Sequence, residues 1–174
     1  MSILTQKTLS NKISFEGIGV HTGCKVKMDI LPASPNTGII FKIIEVEMIG
    51  YVMVGTNNLD AAINFYDEVL EVIGLSRNET IEDDYAAYGK KGTKEIEFYV
   101  TKPFNKKEAS VGNGSQVSFL VNSRLDVDKF HEIGLKAGGK SEGSGGERPA
   151  GSGVYYSYIR DLDGNKICTF TNNK

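Results

Sequence analysis

Gly153-Val-Tyr-Tyr-Ser-Tyr-Ile-Arg-Asp-Leu-Asp-Gly-Asn-Lys-Ile-Cys-Thr-Phe170 decides how the rest of the chain is read. Its first arm, Val154 to Arg160, is rich in Tyr, Val and Ile, which suit a pleated, half-buried surface. Asp161-Leu-Asp-Gly-Asn165 is a turn, because Asp and Asn bond their own backbone and Gly164 tolerates positive φ. The second arm, Lys166 to Thr171, alternates polar and apolar. The stretch therefore predicts a β-hairpin. Asp-x-Asp-Gly is also half of a calcium loop, but the further oxygen ligands and the late Glu of such a loop are missing.

Working back from the hairpin, the chain repeats itself. One fixed offset carries Val52 onto Val117, Asn57 onto Asn122, Phe65 onto Phe130 and Gly74 onto Gly139. Each half reads as strand, helix, then two or three strands. In the first half, Tyr51 to Thr56 alternates as a strand, and Asn57 or Asn58 caps a helix that carries Asp60 in its first turn. Leu59, Ala62, Ile63, Tyr66, Leu70 and Ile73 fall at helical spacing, and Gly74 closes the helix. Short strands are predicted at 75–81, 84–89 and 94–101. In the second half the spacing predicts a strand over 116–122 and a helix over 125–137. Residues 140–152, dominated by Gly and Ser, read as a loose loop. One such half leaves a sheet face bare, so two halves should curl together with a groove between them.

Tyr-x-x-x-Arg-Asp-x-Asp-Gly-Asn-x-Ile, at Tyr156–Ile167, resembles the last hairpin of the vicinal oxygen chelate superfamily, which includes glyoxalase I, bleomycin-resistance proteins and extradiol dioxygenases. Met48 to Tyr66 is similar to that family's first strand and helix. The resemblance covers about 48–172. It implies an α+β fold of paired β-α-β-β-β modules, 48–103 and 114–172, forming a curved, incomplete barrel, and says little about the reaction.

Residues 1–47 differ. Strands are expected at about 11–18, 24–31 and 38–44, broken by Gly23 and the Pro32–Asn36 cluster. Gly17-Ile-Gly-Val-His-Thr-Gly23 and Leu31-Pro-Ala-Ser-Pro-Asn-Thr-Gly38 resemble the opening of the UDP-3-O-acyl-N-acetylglucosamine deacetylases of lipid A synthesis, over about 9–42. The zinc ligands and the catalytic acid and base of those enzymes lie beyond this match, and the resemblance gives His21 no metal-binding role. The expectation is a truncated fragment joined to a second domain, 48–174, without deacetylase chemistry.

Composition excludes several classes. Of 174 residues, 40% are hydrophobic and 24% charged, which is globular rather than disordered. A net charge of −2 favours neither nucleic acid nor an anionic membrane. The two cysteines, Cys24 and Cys168, lie in no Cys-x-x-Cys motif, so a reducing cytoplasm is expected. Met1 to Ser14 has no long apolar run and reads as neither a signal peptide nor a membrane span.

In metal-dependent relatives the ligands come from the first and last strands of each module. The resemblance puts those positions on Tyr51, Glu95 or Glu97, Gln116 and Cys168, a poor set for Mg, Mn, Ni or Fe. Strand alternation puts Tyr51, Met53 and Gly55 on one face, and likewise pairs Gln116 with Ser118, Tyr156 with Tyr158, and Cys168 with Phe170. If these line the groove it is aromatic and suits a flat or amphipathic organic ligand; otherwise the tyrosines merely cover the sheet. The candidate ligand-binding residues are thus Tyr51, Met53, Glu97, Gln116, Ser118, Tyr156, Tyr158, Cys168 and Phe170, with no metal and no cofactor. Cys168 as a nucleophile and His131 as a base both lack a partner in sequence. Arg148 and Lys140 flank the Gly/Ser loop and stand near enough in sequence to close over an anion. Arg160 is expected to pair with Asp161 or Asp163. The functional expectation is a metal-free binding protein, in the cytoplasm and as a homodimer, with residues 1–47 adding strands to a neighbouring or partner edge. The alternatives are a metal-dependent glyoxalase-like lyase or isomerase, and a deacetylase remnant without its catalytic residues.

Overall fold

The structure is a computed structural model. It describes the strand backbones of residues 5–9, 12–18, 25–30 and 41–46, and residues 49–173 in full. His21, Gly23, Cys24 and the Pro32–Asn36 cluster lie outside the described residues. The chain forms two compact units, Met1–Gly50 and Tyr51–Lys174.

The first unit is an antiparallel meander of β1 (Thr5–Leu9), β2 (Lys12–Ile18), β3 (Lys25–Ile30) and β4 (Phe41–Val46), in that order. These strands pair with one another in a sheet of their own. The strand β1 was not anticipated: Thr-Gln-Lys-Thr-Leu has no apolar alternation, and its backbone ladder to β2, Thr5 opposite Glu16 through Leu9 opposite Lys12, makes it an edge strand.

The second unit is built from two modules. The first runs β5 (Val52–Gly55), α1 (Leu59–Glu71), β6 (Leu75–Ile81), β7 (Tyr85–Lys90) and β8 (Phe98–Thr101); the second runs β9 (Val117–Leu120), α2 (Arg124–Lys136), β10 (Lys140–Glu147), β11 (Tyr155–Arg160) and β12 (Lys166–Thr171). Each makes a mixed four-stranded sheet, ordered β5-β8-β7-β6 and β10-β11-β12-β9, in which the first and last strands of the module are parallel neighbours. The barrel is not closed, so the fold is α+β as expected.

Local chemistry explains the repeat. Asn58 caps α1 by accepting from Ala61 N, and Ser123 caps α2 by accepting from Asp126 N. Gly74 ends the first helical segment at φ +80°; in the second module positive φ falls one residue earlier than the repeat suggests, on Gly138 at +100°. Phe65 and Phe130, equivalent in the repeat, are both buried in the core. That core is continuous: Val54, Tyr88, Phe98 and Val100 of one module meet Phe130, Ile159 and Ile167 of the other.

Residues 140–147 are a strand, not the loose loop expected from their glycines. Two register shifts, between Ser141 and Gly143 and between Gly143 and Gly146, keep β10 paired to β11. The glycines mark close approach rather than freedom. A Cβ at Gly143 would stand 3.0 Å from Arg148 Nη2 and 3.2 Å from Tyr158 Cδ2, and one at Gly145 would fall on the Asp128 carboxylate.

The Asp161–Asn165 turn ties the modules together. Asp161, 5% exposed, accepts from Asp163 N at 3.1 Å, Asn165 N at 2.7 Å and the Tyr66 hydroxyl of α1 at 2.6 Å. Asp163 accepts from Thr56 Oγ1 at 2.5 Å and from Asn57 N at 2.9 Å, at the β5–α1 junction. Asn165 Nδ2 donates to Gly55 O at 2.9 Å. Burial, and then the Asp161 charge, hold the Tyr66 phenol well above its ordinary pKa, so it stays a donor. Asp161→Ala strands the buried Tyr66 hydroxyl and two turn amides. It should lower the unfolding free energy of the second unit by about 2–3 kcal/mol in urea denaturation, and an unchanged midpoint would contradict this reading of the turn.

Candidate functional site

Ladder register sorts the side chains by face. In the second module Ser118, Cys168, Tyr158 and Gly143 lie across from one another on one face, and Leu120, Phe170, Tyr156 and Gly146 form the next row. In the first module Met53, Tyr99 and Ala87 share a row, with Tyr51 one step before β5 and Glu97 one before β8. The opposite faces carry Val54, Val100, Ile159 and Ile167, all buried in the core. Along β5, β9, β11 and β12 the side chains therefore alternate as expected from sequence.

On the second module's open face three rings stack. Phe170 and Tyr156 lie 5.5 Å apart at 17°, and Tyr156 and Tyr158 lie 6.0 Å apart at 4°. All three are half-buried. Arg148 sits 5.2 Å and Lys166 5.1 Å from the Tyr158 ring centre. The first module's face is also aromatic: Tyr99 meets Tyr51 at 5.0 Å and Tyr85 at 5.5 Å, both edge to face.

A cavity of about 240 Å³ lies between the modules, lined by Met53 and Gly55 from β5, Ser115, Gln116 and Val117 at the start of β9, and Asn165 and Lys166 at the turn. It brings Met53 and Gln116 together. Ser118, Tyr156, Tyr158, Cys168 and Phe170 line the adjoining sheet face instead, and Tyr51 and Glu97 belong to the first module's face. Lys166, in both the cavity and the ring stack, was missed from sequence, as was Tyr99. The signal was present, since Lys166 alternates with Cys168 and Phe170, and Tyr99 with Glu97.

Several polar groups are already committed. Gln116 Nε2 donates to Ser118 Oγ at 2.8 Å. Arg148 donates from Nη1 to Gly146 O and Tyr156 O and from Nη2 to Ser144 O. Arg160 pairs with Glu142 at 2.7 Å and donates to Gly164 O, rather than pairing with Asp161, which the turn amides and Tyr66 occupy, or Asp163, which Thr56 and Asn57 occupy. His131 bonds Ser141 Oγ at 2.8 Å, and burial lowers its pKa.

The positions to which the sequence resemblance points for metal ligands do not fit a divalent ion here. Glu97 Oε1 is buried with no hydrogen bond, 3.6 Å from Lys90 Nζ. Cys168 is buried; burial raises its pKa, against the opposing pull of Ser118, Lys166 and Arg148, and its Sγ faces Thr169 O at 3.6 Å. A phenol, an amide and a protonated thiol beside one carboxylate are a weak set for a divalent ion. Among the described residues, no three His, Cys, Asp or Glu side chains come together as a ligand group.

Comparison with known proteins separates the two parts of the chain. A crystal structure of a glyoxalase/bleomycin resistance protein from Albidiferax ferrireducens is 34% identical, with a TM-score of 0.64, and the match covers 72% of this chain and 98% of that one. A lactoylglutathione lyase from Agrobacterium tumefaciens, 20% identical over 71% of this chain and 92% of its own, shares the fold at a TM-score of 0.53. The family model of UDP-3-O-acyl N-acetylglycosamine deacetylase matches residues 6–122. Curated deacetylases match over a shorter span: 54% identity over 39 residues for Coxiella burnetii and 48% over 40 residues for Chromobacterium violaceum. This chain spans 13% of the length of either enzyme. The family-model span and the curated span disagree beyond the opening segment.

The raised pKa of Cys168 has a direct consequence. At neutral pH it is a thiol, not a thiolate, so it should react negligibly with an aromatic disulfide reagent in the folded protein and fully in denaturant, read by peptide mass mapping. Rapid modification of Cys168 in the folded state would contradict its placement.

Proposed function

We propose, for a chain that belongs to the glyoxalase/bleomycin resistance family through its second unit and to the UDP-3-O-acyl N-acetylglycosamine deacetylase family by its match at 6–122, that its function is to bind a small organic molecule without a catalytic divalent ion. The observation that carries this reading is the stack of Phe170, Tyr156 and Tyr158 on a sheet face beside the cavity that holds Met53 and Gln116. Parallel rings at 5.5–6.0 Å make an aromatic surface against which another planar group can pack. The cavity volume lies just below the range of sites for drug-sized ligands, which suits a small molecule laid partly on the open face. Gln116 keeps its carbonyl oxygen and one amide hydrogen for orientation, since the other hydrogen is donated to Ser118. Tyr51 and Met53 extend the surface from the first module, and Glu97, Ser118 and Cys168 form its polar floor.

The Tyr156 ring is central to the stack, so Tyr156→Ala should weaken binding of a planar neutral probe such as 2-naphthamide by about two- to tenfold, read by fluorescence titration. Absence of saturable binding by the wild-type protein would refute the reading. Protein purified without chelator should contain less than stoichiometric metal. Stoichiometric Ni, Zn, Mn or Fe, lost together with an activity in Gln116→Ala or Glu97→Ala, would establish a metal-dependent lyase or isomerase instead.

The same reading includes a homodimer in the cytoplasm. It is supported by the exposure of Tyr51, Met53 and Leu120, at 56%, 54% and 66%, apolar surface suited to a second copy. Among the described residues no helix is long and apolar enough to cross a membrane. Light scattering at micromolar concentration should give twice the chain mass, and a monomer would remove this part.

A further inference from the structure

The cations around Tyr158 are unusual in how they are held. Arg148 is oriented by three backbone carbonyls and by the ring face, none of which neutralises its charge. Lys166 Nζ lies against the same ring, and Arg160 stands directly opposite Lys166 in the β11–β12 ladder. One carboxylate serves this group: Glu142 Oε1 is 2.7 Å from Arg160 and its Oε2 3.1 Å from Lys166. Asp161 and Asp163 nearby are consumed by Tyr66, Thr56, Asn57 and the turn amides. Three cations against one carboxylate leave a positive excess beside an aromatic platform. Lys166 also lines the cavity, so the excess reaches its wall. Cationic side chains that keep their charge and sit about one-third exposed attract an anion more than bulk-solvated lysines do.

We propose that the ligand of this face is a planar aromatic acid: its ring stacks on Tyr156 and Phe170, and its anionic group lies between Lys166 and Arg148 at the edge of Tyr158. This assignment of ligand class rests on the small-molecule reading above. The Nε and remaining Nη2 hydrogens of Arg148 have no protein acceptor among the described residues and supply the donors for that group.

Three probes of one shape test it on the full chain: 2-naphthoate, 2-naphthamide and 2-naphthylmethylammonium. Naphthoate should bind about tenfold more tightly than naphthamide, as expected for a hydrogen bond to a charged group, and the cation more weakly than either. The preference should shrink as sodium chloride rises. Lys166→Gln should bring the ratio of naphthoate to naphthamide affinity, both measured on that variant, from about tenfold to near unity. Glu142→Gln, which deletes the competing carboxylate, should strengthen naphthoate binding. Circular dichroism checks that both variants are folded. Equal affinities for naphthoate and naphthamide, or weaker naphthoate binding by Glu142→Gln, overturn the acid assignment and leave small-molecule binding standing. Failure of all three probes overturns both.

Discussion

The carboxylate of Asp161, buried in the last turn, fixes the relation between the modules. It collects two amides of its own turn and the phenol of Tyr66 from α1, while its neighbours Asp163 and Asn165 grip the end of β5 through Thr56, Asn57 and Gly55. A buried carboxylate is tolerated only when its oxygens are met by donors, and here they are. The turn that closes the second module thus sets where the first module's leading strand ends. That places Met53 of β5 beside Gln116 and Lys166 and creates the cavity between them. The core, shared by both modules through Phe98, Phe119 and Phe130, supplies the bulk of the cohesion, and the turn supplies the alignment.

Much of this architecture was legible from local chemistry. The offset linking Val52 to Val117 and Phe65 to Phe130 reappears as two helices of equal length with capping residues at equivalent places, Asn58 and Ser123. Alternation put Tyr156 and Tyr158 on one face and Ile159 on the other, and the ladder agrees. The misreadings share a cause: each depended on a pairing or close packing that residue type and spacing alone do not display. The glycines of β10 look like a loop until Arg148 and Tyr158 are seen lying over them. Arg160 was matched with its sequence neighbours Asp161 and Asp163, but those side chains face the turn and the other module, and the free carboxylate was Glu142 across the ladder. The edge strand β1 has polar side chains and exists by virtue of its backbone pairing with β2.

The site was half legible. Tyr51, Gln116 and Cys168 fall where the sequence resemblance points for metal ligands, and their side chains offer a phenol, an amide and a buried thiol. What sequence alone missed is the electrostatic asymmetry of the second module's face, because it arises from Arg148 folding back over glycines and from Lys166 and Arg160 sharing one carboxylate. Ring stacking and an excess of cations over carboxylates on one sheet are complementary: the first provides area without strong directionality, the second orientation. The deacetylase-like opening segment is a separate compact unit.

Location is the most direct test of the account, more so than affinity. Aromatic proton–carbon correlation spectra of the full chain, recorded during titration with 2-naphthoate, report each Tyr and Phe ring separately. The account predicts that the largest shifts fall on Tyr156, Tyr158 and Phe170, with smaller ones on Tyr51. Shifts confined to Tyr85 and Tyr99, or spread evenly over the buried rings of Tyr66 and Tyr88, would contradict it.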